Sequence, residues 1–273
     1  MTAPGFVIRD QPGLIQVLRL FDGVRSVNAL KAAMSGDVPE FAGDLSAIVA
    51  ELVAARIICD ARQWDFPGNP FLRDEARFHC ASGLPTSPIR RRGQYQVSLN
   101  HDVGARTLAG IVESVLSHSG IETTSSNNAD LTVMLSLGEP ARGTFATASR
   151  YRLDHLPVVI DEERIRIGPF VQPSRTPCVQ CYDRHRTDWD SAWPALATQF
   201  GHPTHTILTP AAVCATTLFV AAAEIAANII AHCDGREPPT AGHLVAIGPG
   251  HDDRTVWPVN FHPACGCALL RVA

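Results

Sequence analysis

The sequence predicts an α/β protein in two parts, a small winged helix-turn-helix unit followed by a degenerate Rossmann domain with a structural zinc site. Three observations predict it: three short apolar stretches of helical period before residue 62, alternating strand and helix patterns from Tyr95 onward, and the thiol pairs Cys178-Val-Gln-Cys181 and Cys265-Gly-Cys267. With 273 residues the chain is long enough for two domains and a sizeable core. The expected divisions are 1–62 for the winged unit, 63–93 for a linker and 94–273 for the α/β domain.

The elements follow in order. Leu14, Ile15, Val17, Leu18, Leu20 and Phe21 make one short apolar helix, closed by Asp22-Gly23. Ser26 caps a second helix with Val27, Leu30 and Met34 on one face; Asp44 caps a third, where Leu45, Ile48, Val49, Leu52 and Val53 recur at helical spacing. Ile57, Ile58 and Cys59 read as a strand, and three helices ending in a strand give the winged unit. Pro67, Pro70, Pro85 and Pro88 punctuate the linker, which a short helix around Asp74–Cys80 interrupts and Arg90-Arg91-Arg92 ends. Tyr95–Leu99, Leu131–Leu135 and Val158–Ile160 read as buried strands, with a helix over Thr107–Ser117 between the first two. Strands alternating with helices imply a parallel sheet. A long apolar helix spans Ala211–Ala231, with Thr209 as cap, Pro210 at its first position and Asp234-Gly235 at its end. His243–Ile247 and Thr255–Val259 close the sheet.

Composition excludes several function classes. Charged residues are 18% of the chain and the net charge is −4, which argues against both disorder and a duplex-wrapping protein. The winged unit carries six cations against seven carboxylates through Arg62, and its third helix holds Asp44 and Glu51 where a DNA reader needs arginines, so nucleic acid is not an expected partner. The Ala211–Ala231 run is long enough to span a bilayer, yet it is alanine-rich and carries Glu224 and Asn228, so a buried or subunit-interface helix is expected and no membrane. The opening MTAPGFVIRD has no basic segment followed by an apolar one, so a cytoplasmic, reducing location is expected.

In that setting Cys178, Cys181, Cys265 and Cys267 read as four soft ligands for a tetrahedral Zn²⁺, a closed structural site without room for an activated water. His262 lies near enough to replace one thiolate or to neighbour the site. Cys59, Cys80, Cys214 and Cys233 read as isolated buried residues. The loop after the first Rossmann strand, Asn100-His101-Asp102-Val103-Gly104-Ala105-Arg106, has one glycine, and Asp102 puts a negative charge where a phosphate would sit. ATP is therefore not an expected cofactor, although Arg106 could contact a phosphate. Glu139, Asp161, Glu162 and Glu163 read as a solvated acidic stretch, and the scattered His185, His202, His205, His232 and His251 form no catalytic constellation.

Together these pieces resemble the ThiF-like partner subunits of azole-forming (thiazole/oxazole-modified microcin) cyclodehydratases, leader-peptide-binding proteins with a winged-helix recognition element and a ThiF/MoeB-like domain. The carrying segments are Leu18–Asp60, Arg90–Ile121, Gly168-Pro169-Phe170-Val171 through Cys178–Cys181, Trp193-Pro194-Ala195-Leu196 and His262–Cys267. The resemblance implies that the N-terminal unit docks a precursor's leader as an added β-strand, that the zinc is structural and that the α/β domain forms a homodimer. It also implies that ATP is used by a separate YcaO-type enzyme. Family members keep glycines in the first βα loop, and here Asn100, Asp102 and Ala105 stand at those positions. The expected function is a non-catalytic scaffold that captures a leader peptide near Arg56, Ile57, Ile58, Cys59 and Asp60 and presents the precursor to its partner. The alternatives are an ATP-dependent adenylyltransferase acting on a peptide C-terminus and a DNA-binding regulator.

Overall fold

Two side chains start the N-terminal helices as their chemistry dictates. The Ser26 hydroxyl accepts the Ala29 N–H at 3.2 Å and opens α2 (Val27–Asp37); the Asp44 carboxylate accepts the Ser46 N–H at 2.8 Å and opens α3 (Leu45–Ala54). In the computed structural model these residues belong to the first of two units, Met1–Ser87 and Pro88–Ala273, and residues 7–125, 129–201, 212–250 and 252–267 are described.

In the first unit α1 (Leu14–Arg19) packs Leu14 and Val17 against Leu30, Val38, Phe41, Leu45, Ile48 and Leu52. Gly13 permits this closeness: its φ is +78°, and a Cβ there would stand 2.9 Å from Val38 Cγ1. The expected strand at Ile57–Cys59 does not form among the described residues. Arg56 turns the chain with φ +59° after α3, and no strand lies among the described residues of this unit to pair with the three. The Asp60 carboxylate then accepts the Arg62 N–H at 3.0 Å and opens a single 3₁₀ turn, Ala61–Trp64. The supposed linker also contains a full helix, α4 (Pro70–Ser82), longer than the expected Asp74–Cys80. Asn69 caps it, Pro70 sits in its first turn and left-handed Gly83 ends it, so these turn-forming residues are helix boundaries. Leu72 and Ala76 bury its inner face, and the Arg77 guanidinium lies 4.0 Å above the Trp64 ring.

The second unit opens with α5 (Ser87–Arg91). Its sheet comprises β1 (Val97–His101), β2 (Thr123–Thr124), β3 (Leu131–Leu137), β4 (Asp154–Asp161), β5 (Arg164–Ile167), β6 (His243–Ile247) and β7 (Arg254–Pro258), in the order β2-β1-β3-β4-β5-β6-β7. The first four strands are parallel and the last three antiparallel, so the sheet is mixed where the alternation predicted a parallel one. The unpredicted β5 makes the difference: Glu162, at φ +48°, turns β4 back on itself.

Val97, Val133, Leu156, Val158, Ile165 and Val245 from the strands form the core with α6 (Arg106–His118) and α10 (Ala215–Cys233). By length and apolarity α10 alone among the described residues could cross a membrane, but half of it is buried against the rest of the unit. Its polar residues have local partners: Asn228 accepts the Thr240 N–H at 2.8 Å, and Glu224 pairs with Arg254 at 3.0 Å. The expected cap Thr209 and Pro210 lie outside the described residues; the helix is capped at Cys214, five residues later than predicted, and ends at Asp234. Arg92, expected at the end of a solvated linker, is fully buried in a bidentate pair with Asp234, both contacts 2.8 Å. The helices α7 (Arg142–Arg150), α8 (Val179–Trp189) and α9 (Trp193–Phe200) complete the unit.

Candidate functional site

The two thiol pairs meet. Cys178 is the N-cap of α8 and Cys181 lies in its first turn, so the i, i+3 spacing puts both sulfurs at one helix end. The C-terminal segment brings Cys265 and Cys267 against them, with Sγ–Sγ separations of 3.6 Å for Cys178–Cys265, 3.2 Å for Cys181–Cys267 and 3.9 Å for Cys178–Cys181. Sulfurs about 2.3 Å from a common tetrahedral centre would stand roughly 3.8 Å apart, so the quartet fits a metal ion such as zinc. The Cys181 thiol is pushed down to about 4 by the hydrogen bond from Cys178, helped by the His262 N–H at 3.4 Å, while Cys178 is pushed up by the same partner. One thiolate is thus favoured even before a cation supplies charge.

His262 is a neighbour of this quartet. Its Nδ1 accepts the Ala264 N–H at 3.1 Å, and its Nε2 faces Asp188 Oδ2 at 2.9 Å. His185, Asp188 and His262 converge closely enough to suggest a second metal site. The hydrogen bonds argue otherwise: with Nδ1 accepting the Ala264 N–H, Nε2 faces Asp188 as a donor and has no lone pair there to offer. The triad buttresses the loop that delivers Cys265.

At the carboxyl ends of β1 and β3, where the strand order reverses and an open α/β sheet places its crevice, Asp102 fills the loop itself. Its carboxylate accepts the Ala105 N–H at 2.9 Å and the Leu137 N–H at 2.8 Å, so donors that could face an anion already hold one. Gly104 lets the loop sit against β3: a Cβ there would be 2.6 Å from Leu137 Cδ2. Beside this crevice Glu139 is half-buried with its side chain 9% exposed, contrary to the solvated stretch expected. It pairs with Arg166 and, at 2.9 Å, with Arg142; Arg142 also grips Asp183 through two 2.8 Å contacts, and Asp183 accepts the Trp193 indole N–H at 2.9 Å. The space left there is about 20 Å³, room for one water. Sequence reasoning missed this cluster because its members are dispersed from 139 to 193, and only folding gathers them.

In the first unit, Arg56, Ile57, Ile58, Cys59 and Asp60 all line one open groove of about 850 Å³. Val27, Val53 and Ile57, 40%, 48% and 50% exposed, give it apolar walls, joined by Trp64 and Cys80. The Cys59 N–H and the carbonyls of Ile57, Ile58 and Cys59 make no hydrogen bond among the described residues. Cys59 and Cys80, expected as isolated buried thiols, are half-buried neighbours; burial, then the Cys80 thiol, pushes Cys59 up to about 11. Cys233 is buried as expected, whereas Cys214 is exposed at the start of α10. His202, His205 and His251 lie outside the described residues.

No family model matches the chain, and no curated protein matches it in sequence. Solved structures do. A heterocyclase in complex with substrate and cofactor superposes with a TM-score of 0.65 at 17% identity, over 93% of this chain and 35% of that one. The heterocyclase TruD gives 0.64 at 19%, over 93% and 38%. MccB of E. coli, in a structure with ATP, gives 0.56 at 14%, over 94% and 89%. The chain therefore spans little more than a third of the heterocyclase chains it matches and most of MccB. At such identities the likeness is one of fold: the mixed α/β architecture with its seven-stranded sheet is that of TruD and MccB.

Proposed function

We propose that the chain is the non-catalytic, peptide-capturing subunit of an azole-forming (thiazole/oxazole-modified microcin) assembly. Its first unit is a helical recognition element that binds a precursor's leader peptide at Arg56–Asp60. Its second unit is a ThiF-like scaffold that forms a homodimer. Cys178, Cys181, Cys265 and Cys267 hold a structural Zn²⁺, which ties α8 to the C-terminal loop and supplies folding energy. ATP-dependent cyclodehydration belongs to a YcaO-type partner in the cytoplasm.

The observation that carries this reading is the groove at Arg56–Asp60, with unmet backbone donors and acceptors along Ile57–Cys59. An extended peptide could satisfy those groups as an added strand and place alternate side chains between Val27, Val53 and Ile57. The likeness to heterocyclases gives the same direction. The test is reconstitution of this protein, a YcaO-type enzyme, ATP and a precursor peptide, with water losses counted by mass spectrometry. Ring formation should require this chain and the leader, and should fail with Ile57→Asp while the metal content stays at one per chain. Unchanged ring formation without this chain would sink the proposal.

A second reading, an adenylyltransferase, is favoured by the likeness to MccB, which has been solved with ATP. Asp102 opposes it, since its carboxylate occupies the loop donors a phosphate would need. ATP-dependent pyrophosphate exchange by this protein alone would decide for that reading.

A further inference from the structure

Four arginines, Arg25, Arg56, Arg62 and Arg77, line the groove, against one carboxylate, Asp60. Three of them have an acidic partner: Asp22 stands 3.5 Å from Arg25, Asp60 2.5 Å from Arg62, and Asp74 3.3 Å from Arg77. Arg56 has none among the described residues. Its Nη1 donates to the Ser82 carbonyl at 3.1 Å, and the guanidinium lies flat on Gly83, where a Cβ would be 2.2 Å from Cζ. Gly83 is itself left-handed at φ +69°, so both the turn and the contact exclude a side chain there. The Arg56 backbone, at φ +59°, directs the side chain across to this seat. The result is a cation held on one side by protein and open on the other, at the edge of an apolar groove.

Resting on the capture reading above, we propose that the groove takes a peptide segment that is apolar and acidic, and that Arg56 determines this specificity by binding one of its carboxylates. A guanidinium already seated loses less freedom on forming a two-pronged carboxylate contact than a free one. The apolar walls accept the alternate side chains of the same strand. A basic segment would meet Arg56 and its neighbours with like charge, and a purely apolar one would leave the guanidinium without a carboxylate.

The test uses the full chain and three short fluorescein-labelled synthetic peptides, in which leucine alternates with glutamate, glutamine or lysine, read by fluorescence anisotropy. The glutamate peptide should bind about tenfold more tightly than the glutamine one, the affinity difference expected of one well-formed ion pair, and the lysine peptide should bind weakest. That gap should narrow with added salt and vanish in Arg56→Asn, a substitution chosen because asparagine tolerates the left-handed backbone. Arg56→Lys should keep part of it. If glutamate and glutamine peptides bind equally, and both are lost in Val53→Asp, the groove captures peptides but the charge specificity is wrong. A gap that persists in Arg56→Asn would assign the carboxylate to another residue and overturn the inference. Failure of all three peptides to bind would also overturn it, and the reconstitution with a natural precursor would then judge capture separately.

Discussion

One carboxylate decides much of the chemistry open to the second unit. Asp102 bridges the start of α6 and the end of β3 through the Ala105 and Leu137 N–H groups. Asp102→Ala should cost about 1–3 kcal/mol, the usual effect of stranding two donors, seen as a lower denaturant midpoint. The sequence makes the anion visible; that it is a bridging cap appears only once β3 lies alongside. His155 shows the same limit. No sequence pattern singles it out, yet it is fully buried, bonded through Nδ1 to the Leu153 carbonyl at 2.9 Å, with Nε2 unpartnered among the described residues. Burial holds its pKa below the usual value, and that of His232 likewise. Unfolding frees both to take protons at the ordinary value of about 6.5, so the unfolded chain binds more protons as pH falls below that point. Stability should therefore be full above about pH 6.5 and decline toward the lower folded-state values. His155→Phe, which stacks against Phe145 without titrating, should flatten that decline in urea titrations at successive pH values.

Whether an element was legible depended on what holds it. Strand β6 and helices α3 and α6 were readable because apolar periodicity and caps both belong to the local sequence. Helix α8 was not: it buries only Val179 and Cys181, and its other anchors are dispersed partners such as the thiol quartet, Arg142 and Trp193 on Asp183, and His262 on Asp188. Strand β5 is four residues long and derives its place from neighbours on both sides. Ile57–Cys59 failed in the opposite sense, having strand-like residues but no strand partner among the described residues. The packing of the β1–α6 loop against β3 gives a test at this scale. Gly104→Ala should destabilise by about 1–3 kcal/mol through overpacking against Leu137, and Leu137→Ala in the same chain should recover part of that loss. Equal or additive losses in a double-mutant cycle would mean the two residues are not in contact.

At the scale of the whole chain, the two candidate sites fall in different units. Every groove residue lies between Phe21 and Ala81, and every ligand of the quartet between Cys178 and Cys267. On the function proposed above, the division at Ser87–Pro88 would also divide the labour, with recognition before it and metal-braced scaffolding after it. Metal removal should separate the two. The four cysteines lie at the start of α8 and over Cys265–Cys267, and without the proposed ion only hydrogen bonds would hold their close sulfurs together. Structural zinc contributes its binding energy directly to folding, and Cys178→Ser or chelation should lower the unfolding temperature of the second unit. The core of the first unit, built from Leu14, Leu30, Leu45 and Leu52, contains none of those ligands. Calorimetric scans should accordingly show one transition moving down and another staying in place, while the acidic peptide still binds the groove below both. A single transition that shifts as a whole would mean that the units fold cooperatively, and simultaneous loss of peptide binding would mean that the metal supports the groove as well as the sheet.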